Sequence, residues 1–308
     1  MTLLYSHPTA SRHRTPQGHP ERVERLLAVE RGLGDLALDR RESPLADAAD
    51  LLRCHPQAYI DQIRTAEPTE GTTQLDPDTW MSPGSFEAAS RAAGGACAAV
   101  DAVLTGAARS AFVVSRPPGH HAETARPMGF CLFGTVAIAA KRALDHHGLA
   151  RVAVVDFDVH HGNGTQDLLW KEPRALFVSS HQMPLWPGTG TREETGAHGQ
   201  IRNIPLAPGS DGTEMRAVYE SEVFPALDAW KPELILISAG FDAHADDPLA
   251  NLNWREADFA WLTQHLCDLA RAHAKGRVVS CLEGGYDLNA LSSSVAAHVG
   301  VLQERDLG

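Results

Sequence analysis

Apolar and polar positions along the chain fall into two alternating patterns. Short, nearly uniform apolar runs occur at residues 111–115 (AFVVS), 151–156 (RVAVVD), 175–179 (ALFVS), 234–238 (LILIS) and 277–281 (RVVSC). Runs of this length, rich in β-branched residues, suit strands buried on both faces of a parallel sheet. Between and around them, residues 86–104, 135–146, 215–227, 256–272 and 288–301 read as helices. The alternation is a βαβ pattern, so the expected fold class is α/β: a central, mostly parallel β-sheet with helices on both faces.

The first third of the chain differs. Its opening residues read as a strand, and 21–31, 46–52 and 56–65 as short helices joined by polar loops. Residues 65–85, rich in Pro, Gly, Thr and Asp, read as a long surface loop, a kind that is often functional in compact enzymes. No compositional break divides the 308 residues, so one domain is expected over 1–308.

In parallel α/β sheets, ligands bind beyond the carboxyl ends of the strands. Each apolar run here is followed by a polar cluster: RPPGHHAE, FDVHHGNG, SHQMPLWPGTG, AGFDAHADD and EGGYD, in chain order. From the last residue of RVAVVD into the second cluster, Asp156, Asp158 and His160 alternate. Residues two apart in an extended segment point to one side, so Asp158 and His160 can converge on one ion. A third ligand from another strand end would leave the open position of a catalytic zinc. Asp242 is the better placed, with Asp247 its competitor. Two carboxylates and an imidazole suit zinc, with ferrous iron or cobalt compatible. Any one of these residues is as well explained by a loop cap or a satisfied core histidine. The whole run after a buried strand is not.

Composition narrows the function classes. A net charge of -12 argues against nucleic-acid binding and favours cationic partners such as lysine-rich peptides or polyamines. Five scattered cysteines without a Cys-x-x-Cys pair point to reduced thiols. No apolar run approaches bilayer-spanning length and the N-terminus has no cleavage-site pattern, so the cytoplasm is the expected compartment, with no membrane partner.

The strings RPPGHHA, GFC, VDFDVHHGNGTQ, SAGFD and EGGY, in this order, resemble the histone deacetylase family. The likeness is to its class II branch and the bacterial deacetylase-like amidohydrolases, and it runs from about Tyr5 to the last helix. It implies the arginase/deacetylase fold and a zinc-dependent amidohydrolase that removes acetyl or other short acyl groups from Nε-acyl-lysine. It places zinc on Asp158, His160 and Asp242 and gives Asp247 a structural place. It also implies a potassium ion held by Asp156, main-chain oxygens of Asp158 and His160, Ser179 and Ser180.

The same resemblance makes His121 the general base and then the acid, and His120 an electrostatic partner backed by Asp156. Asn163 stands where class I members carry Asp. A neutral amide raises an imidazole pKa less than a carboxylate does, so His121 is expected to be neutral at pH 7. Tyr286 would donate to the developing oxyanion. Gly129, Phe130 and Trp186 would line the acyl-lysine channel, Trp186 standing where Phe is typical, and Arg25 an internal acetate-release cavity.

Leu249 takes the place of a gatekeeper glutamate found in a polyamine-selective relative. That favours acyl-lysine over acetylpolyamines as substrate, although Asp76 and Asp78 offer carboxylates at the rim. A binuclear manganese ureohydrolase on the same fold is the alternative of another class. It needs a second ligand set that the Asp-x-Asp-x-His run does not supply. His161, His181 and His244 read as structural or rim residues, and Cys131 lies near the site without a role.

Overall fold

Strands with no polar face must be covered on both sides, and the computed structural model, described for residues 1–307, meets that demand. In chain order the strands are β1 (Leu3–Ser6), β2 (Asp39–Glu42), β3 (Thr73–Asp76), β4 (Thr79–Met81), β5 (Ser110–Val113), β6 (Val152–Asp156), β7 (Ala175–Gln182), β8 (Ile201–Leu206), β9 (Ile235–Ala239) and β10 (Val278–Leu282). The helices are α1 (Glu24–Leu33), α2 (Ala48–Leu51), α3 (Gln57–Ala66), α4 (Ser85–Leu104), α5 (Thr135–Asp145), α6 (Asn163–Leu169), α7 (Gly212–Val218), α8 (Phe224–Trp230), α9 (Glu256–His273) and α10 (Leu288–Leu307).

Eight strands form one sheet in the order β2-β1-β5-β10-β9-β6-β7-β8, every neighbouring pair parallel. Alternate residues of a strand enter opposite cores. Val152 and Val154 pack with α4 and α5, whereas Ala153 and Val155 pack with α1, α9 and α10. Burying each such Val, Leu or Ile contributes roughly 1.5–3 kcal/mol. The five apolar runs are five adjacent strands, β5-β10-β9-β6-β7. Their ends are level: Val113 pairs with Cys281, Leu282 with Ala239, and Asp156 with both Ser238 and Ser179. The five polar clusters therefore emerge side by side along one edge of the sheet.

Four local expectations need correction. The edge strands β2 and β8 are absent from the sequence reading: DRRE is largely exposed and charged, and IRNIPL carries Pro205, so neither has a buried-strand pattern. Charge and proline are features that protect sheet edges from further pairing. Residues 65–85 are not wholly loop, since β3 and β4 form an antiparallel hairpin there. The helix expected at 215–227 is interrupted by a π-helical turn at Tyr219–Val223 before α8. Pro225, within the first turn of α8, has no N–H to continue the ladder. Finally, α1 begins at Glu24, which leaves Glu21 outside the helix in a buried ionic cluster.

Candidate active site

Beyond the end of β6 the chain turns so that Asp158 and His160 face Asp242, which follows β9. One ligand atom from each of the three lies within 4.8 Å of the others, and all three residues are buried. His160 Nδ1 sits 3.1 Å from Asp158 Oδ1 and 3.2 Å from Asp242 Oδ2. Main-chain N–H groups hold both carboxylates: Gly284 and His160 donate to Asp158, and Val159 donates to Asp242. Two glycines allow this close approach. A Cβ on Gly284 would lie 2.6 Å from Asp158 Oδ2, and one on Gly240 would press into the same carboxylate.

Burial opposes a charge on His160, but hydrogen bonds to Asp158 and Asp242 outweigh it and push its pKa up to about 10. The cluster thus demands positive charge, which a divalent cation supplies in exchange for that proton. Two carboxylates and one imidazole are a donor set that fits zinc. Asp247, the alternative ligand, lies outside this cluster. Its oxygens accept from the main-chain N–H groups of Leu249, Tyr286 and Asp287 at 3.0, 2.7 and 3.3 Å.

His120 and His121, after β5, have ring centroids 3.8 Å apart and opposite electrostatics. His120 Nδ1 lies 2.9 Å from Asp156 Oδ2, and its Nε2 lies 3.6 Å from Asp158 Oδ2. Burial works against its charge, yet Asp158 and Asp156 prevail and raise its pKa well above the ordinary value. For His121, burial and the charges of His120 and His160 act together and hold the pKa well below 6.5.

The proton on His121 is placed by Asn163, the partner the sequence suggests, and by a further residue it does not, Glu123. Asn163 Nδ2 donates to Glu123 Oε1 at 2.8 Å, which turns Asn163 Oδ1 toward His121 Nδ1 at 2.7 Å. An acceptor at Nδ1 makes that nitrogen the donor, so neutral His121 presents an unprotonated Nε2, as a base must. Glu123 is visible in RPPGHHAE as the acid that follows the histidines, but only the contact to Asn163 reveals its use.

Tyr286 lies on the loop after β10, held by Asp247 from one side and Arg25 from another. Arg25 is fully buried: its Nε donates to Gly285 O at 2.7 Å, and a second nitrogen donates to Glu283 O at 2.5 Å. Its guanidinium carbon stands 5.0 Å from the centre of the Tyr286 ring. Glu21 pairs with both Arg25 and Arg116 in the same buried cluster, one carboxylate for two guanidinium groups. Arg25 is thus a core residue gripping the tyrosine loop, not a surface helix position.

The mouth is aromatic on both sides. Trp186, 41% exposed, packs 4.7 Å from the His121 ring and 6.1 Å from His160. Phe130 packs 5.8 Å from Tyr286 and 4.7 Å from His19. Gly129 and Phe130 both have left-handed backbones, φ 56° and 68°. The β3–β4 hairpin clamps them: Asp78 accepts from Gly129 N at 3.2 Å and Thr79 Oγ1 from Phe130 N at 3.1 Å. Asp78 is thus partly engaged by the Gly129 main chain, while Asp76 pairs with Arg126 at 3.5 Å.

A Cβ on Gly129 would lie 2.6 Å from both His121 Cγ and Trp186 Cη2. We expect Gly129→Ala to lower kcat/KM by about 10²-fold through displacement of the base. Steady-state kinetics alongside a metal count check this, with the metal content unchanged.

Leu249 is half-buried, and its N–H donates to Asp247 Oδ1 at 3.0 Å. Ser179 sits beside Asp156 in register, whereas Ser180 Oγ turns away to Tyr219 Oη at 2.7 Å. His161 and His181 are buried and hydrogen-bonded to Thr189, Gln166, Ser179 and Gly190, as structural residues are. No helix of the described residues is long and apolar enough to cross a membrane.

A family pattern described as the histone deacetylase domain matches residues 19–302. The chain is 40% identical to a histone deacetylase-like amidohydrolase of Pseudomonas aeruginosa, over 91% of this chain and 74% of that one. It is 38% identical to histone deacetylase 14, chloroplastic, of Arabidopsis thaliana, over 96% of this chain and 75% of the relative. Among solved structures, the HDA15 HD domain superposes with a TM-score of 0.93 at 31% identity, covering 99% of this chain and 90% of that one. With the parallel eight-stranded sheet and the level strand ends, these matches make the fold the arginase/deacetylase fold. The chain belongs to the histone deacetylase family of hydrolases, with its class II-like and bacterial amidohydrolase relatives.

Proposed function

We propose that the chain is a zinc-dependent amidohydrolase that removes acetyl or other short acyl groups from Nε-acyl-lysine in proteins or peptides, its residues acting as one catalytic domain. The observation that carries this reading is the meeting of a buried Asp158–His160–Asp242 cluster with a neutral, oriented His121. Zinc bound there polarises the amide carbonyl and acidifies water.

His121 Nε2 takes the proton as the water oxygen attacks the carbonyl carbon. The Tyr286 hydroxyl donates to the oxygen that gains negative charge. When the C–N bond breaks, His121 returns the proton to the leaving amine, so a carboxylic acid and a free amine result. His120, its Nδ1 2.9 Å from Asp156 Oδ2, stabilises the same developing charge. Trp186 and Phe130 flank the methylene chain, and the Gly129 carbonyl accepts the amide N–H. Arg25 and Arg116 supply positive charge behind the tyrosine loop for the released carboxylate. The same reading assigns a structural potassium ion to Asp156, Asp158, His160, Ser179 and Ser180.

Leu249, which brings no carboxylate, and the aromatic slot favour a mono-cationic amine over an acetylpolyamine. The test is a rate comparison on an acetyl-lysine peptide, longer acyl-lysines and acetylated polyamines, with metal analysis of the same protein. Peptide turnover above polyamine turnover, with one zinc per chain, is expected; the reverse preference or two manganese ions would overturn the reading. Tyr286→Phe should lower peptide turnover by about 10²–10³-fold with zinc retained.

A further inference from the structure

The two catalytic groups of the proposed reaction come from different strand ends. His121 follows β5 and Tyr286 follows β10. One side chain bridges those ends. Glu283, fully buried at the end of β10, accepts through Oε2 from the main-chain N–H groups of Gly119 at 2.6 Å and His120 at 3.1 Å. Its Oε1 accepts from Ser238 Oγ, on β9, at 3.2 Å. Its own main chain is held too: the N–H donates to Ala239 O at 2.9 Å, and the carbonyl accepts from Arg25. Successive main-chain N–H groups converging on one oxygen form a concavity that suits a carboxylate. A buried carboxylate is retained only where donors surround it, and here every partner of the side chain is a donor.

We propose that Glu283 is the positioning residue of the Gly119–His121 turn, fixing the histidine pair relative to the Tyr286 loop. This rests on the roles given above to His121 and Tyr286. Glu283 touches no reacting atom; it acts through the main chain of the residue next to the base. The geometry separates position from charge. A glutamine carbonyl oxygen can accept both N–H groups while its amide donates to Ser238 Oγ, so Glu283→Gln keeps the tether without the charge. Aspartate, one methylene shorter, cannot span to both, and alanine removes the tether.

The experiment compares Glu283→Gln, Glu283→Asp and Glu283→Ala in zinc-loaded protein, with kcat and KM on an acetyl-lysine peptide and amide hydrogen exchange across Gly119 and His120. For Glu283→Gln we expect kcat within about fivefold of the parent. For Glu283→Asp and Glu283→Ala we expect kcat to fall by about 10²-fold at a KM within about threefold, since a displacement near 1 Å carries that cost. Exchange at the two amides should quicken about tenfold or more in these two variants and not in Glu283→Gln.

Full kcat in Glu283→Asp and Glu283→Ala, a Glu283→Gln as impaired as Glu283→Ala, or unchanged exchange overturns the proposal. If Glu283→Ala does not fold, Glu283→Asp against Glu283→Gln decides. If the parent protein hydrolyses no acylated amine, the amidohydrolase reading fails by itself, and exchange alone then decides the tether.

Discussion

Replacing His121 by alanine should lower hydrolysis of an acetyl-lysine peptide by about 10²–10⁴-fold, the range of a lost general acid–base group, while leaving the metal in place. His121 is not among the clustered ligand residues, so the Asp158–His160–Asp242 geometry has no reason to change. The loss should fall on kcat, because the imidazole acts on a proton in flight and not on the bound side chain. His120→Ala is the instructive comparison. That imidazole is held by Asp156 through Nδ1 and lacks the Asn163 contact that orients its neighbour, so it should not substitute for His121. Stopped-time assays at pH 7 on both variants, with zinc counted in each, check the assignment; a His121→Ala variant of near-parental kcat would move the base elsewhere. Asn163→Ala should give a smaller loss, since Nδ1 loses its oriented acceptor but the ring remains.

The second large effect separates two neighbouring aspartates. Asp242→Asn should strip the metal as well as the activity, and Asp247→Asn should keep the metal. The Asp242 amide can still accept from Val159 N, so the fold is spared, but the cluster loses one of its two carboxylates. Metal affinity should fall by more than the ~10–100-fold typical of an outer-sphere change. In Asp247→Asn the amide nitrogen must face an N–H of Leu249, Tyr286 or Asp287, which loosens the tyrosine loop without touching the ligands. Zinc stoichiometry after dialysis against a weak chelator distinguishes the two. Loss of metal from Asp247→Asn as well would return Asp247 to the ligand set, and retention in Asp242→Asn would remove Asp242 from it.

Much of this molecule is legible in one dimension, and the legible part has a common character. Five uniformly apolar runs specify strands buried on both faces, and the placing of every polar cluster just after a run puts the chemistry at one edge of the sheet. Spacing of two in Asp158 and His160 suffices to pair them, because alternation in an extended chain is a local property. The family strings add Asp242, His121 and Tyr286 as expectations whose geometry is coherent with that pairing. The edges of the sheet escape such reading: β2 and β8 are strands through their neighbours, and nothing in DRRE or IRNIPL carries a buried pattern.

What only the tertiary structure decides are relations between residues far apart in sequence. Asp247 lies outside the Asp158–His160–Asp242 cluster, and its oxygens accept from three N–H groups, two of them 39 and 40 residues away. Arg25 passes from helix position to core clamp because the tyrosine loop folds over it from 260 residues downstream. The orientation of Asn163, and with it the proton on His121, depends on Glu123, 40 residues earlier. Each is a hydrogen-bond choice among competing partners. Periodicity sorts residues inside from outside, whereas the partner a buried carboxylate or amide takes depends on which donors the packed strand ends bring within about 3 Å of it.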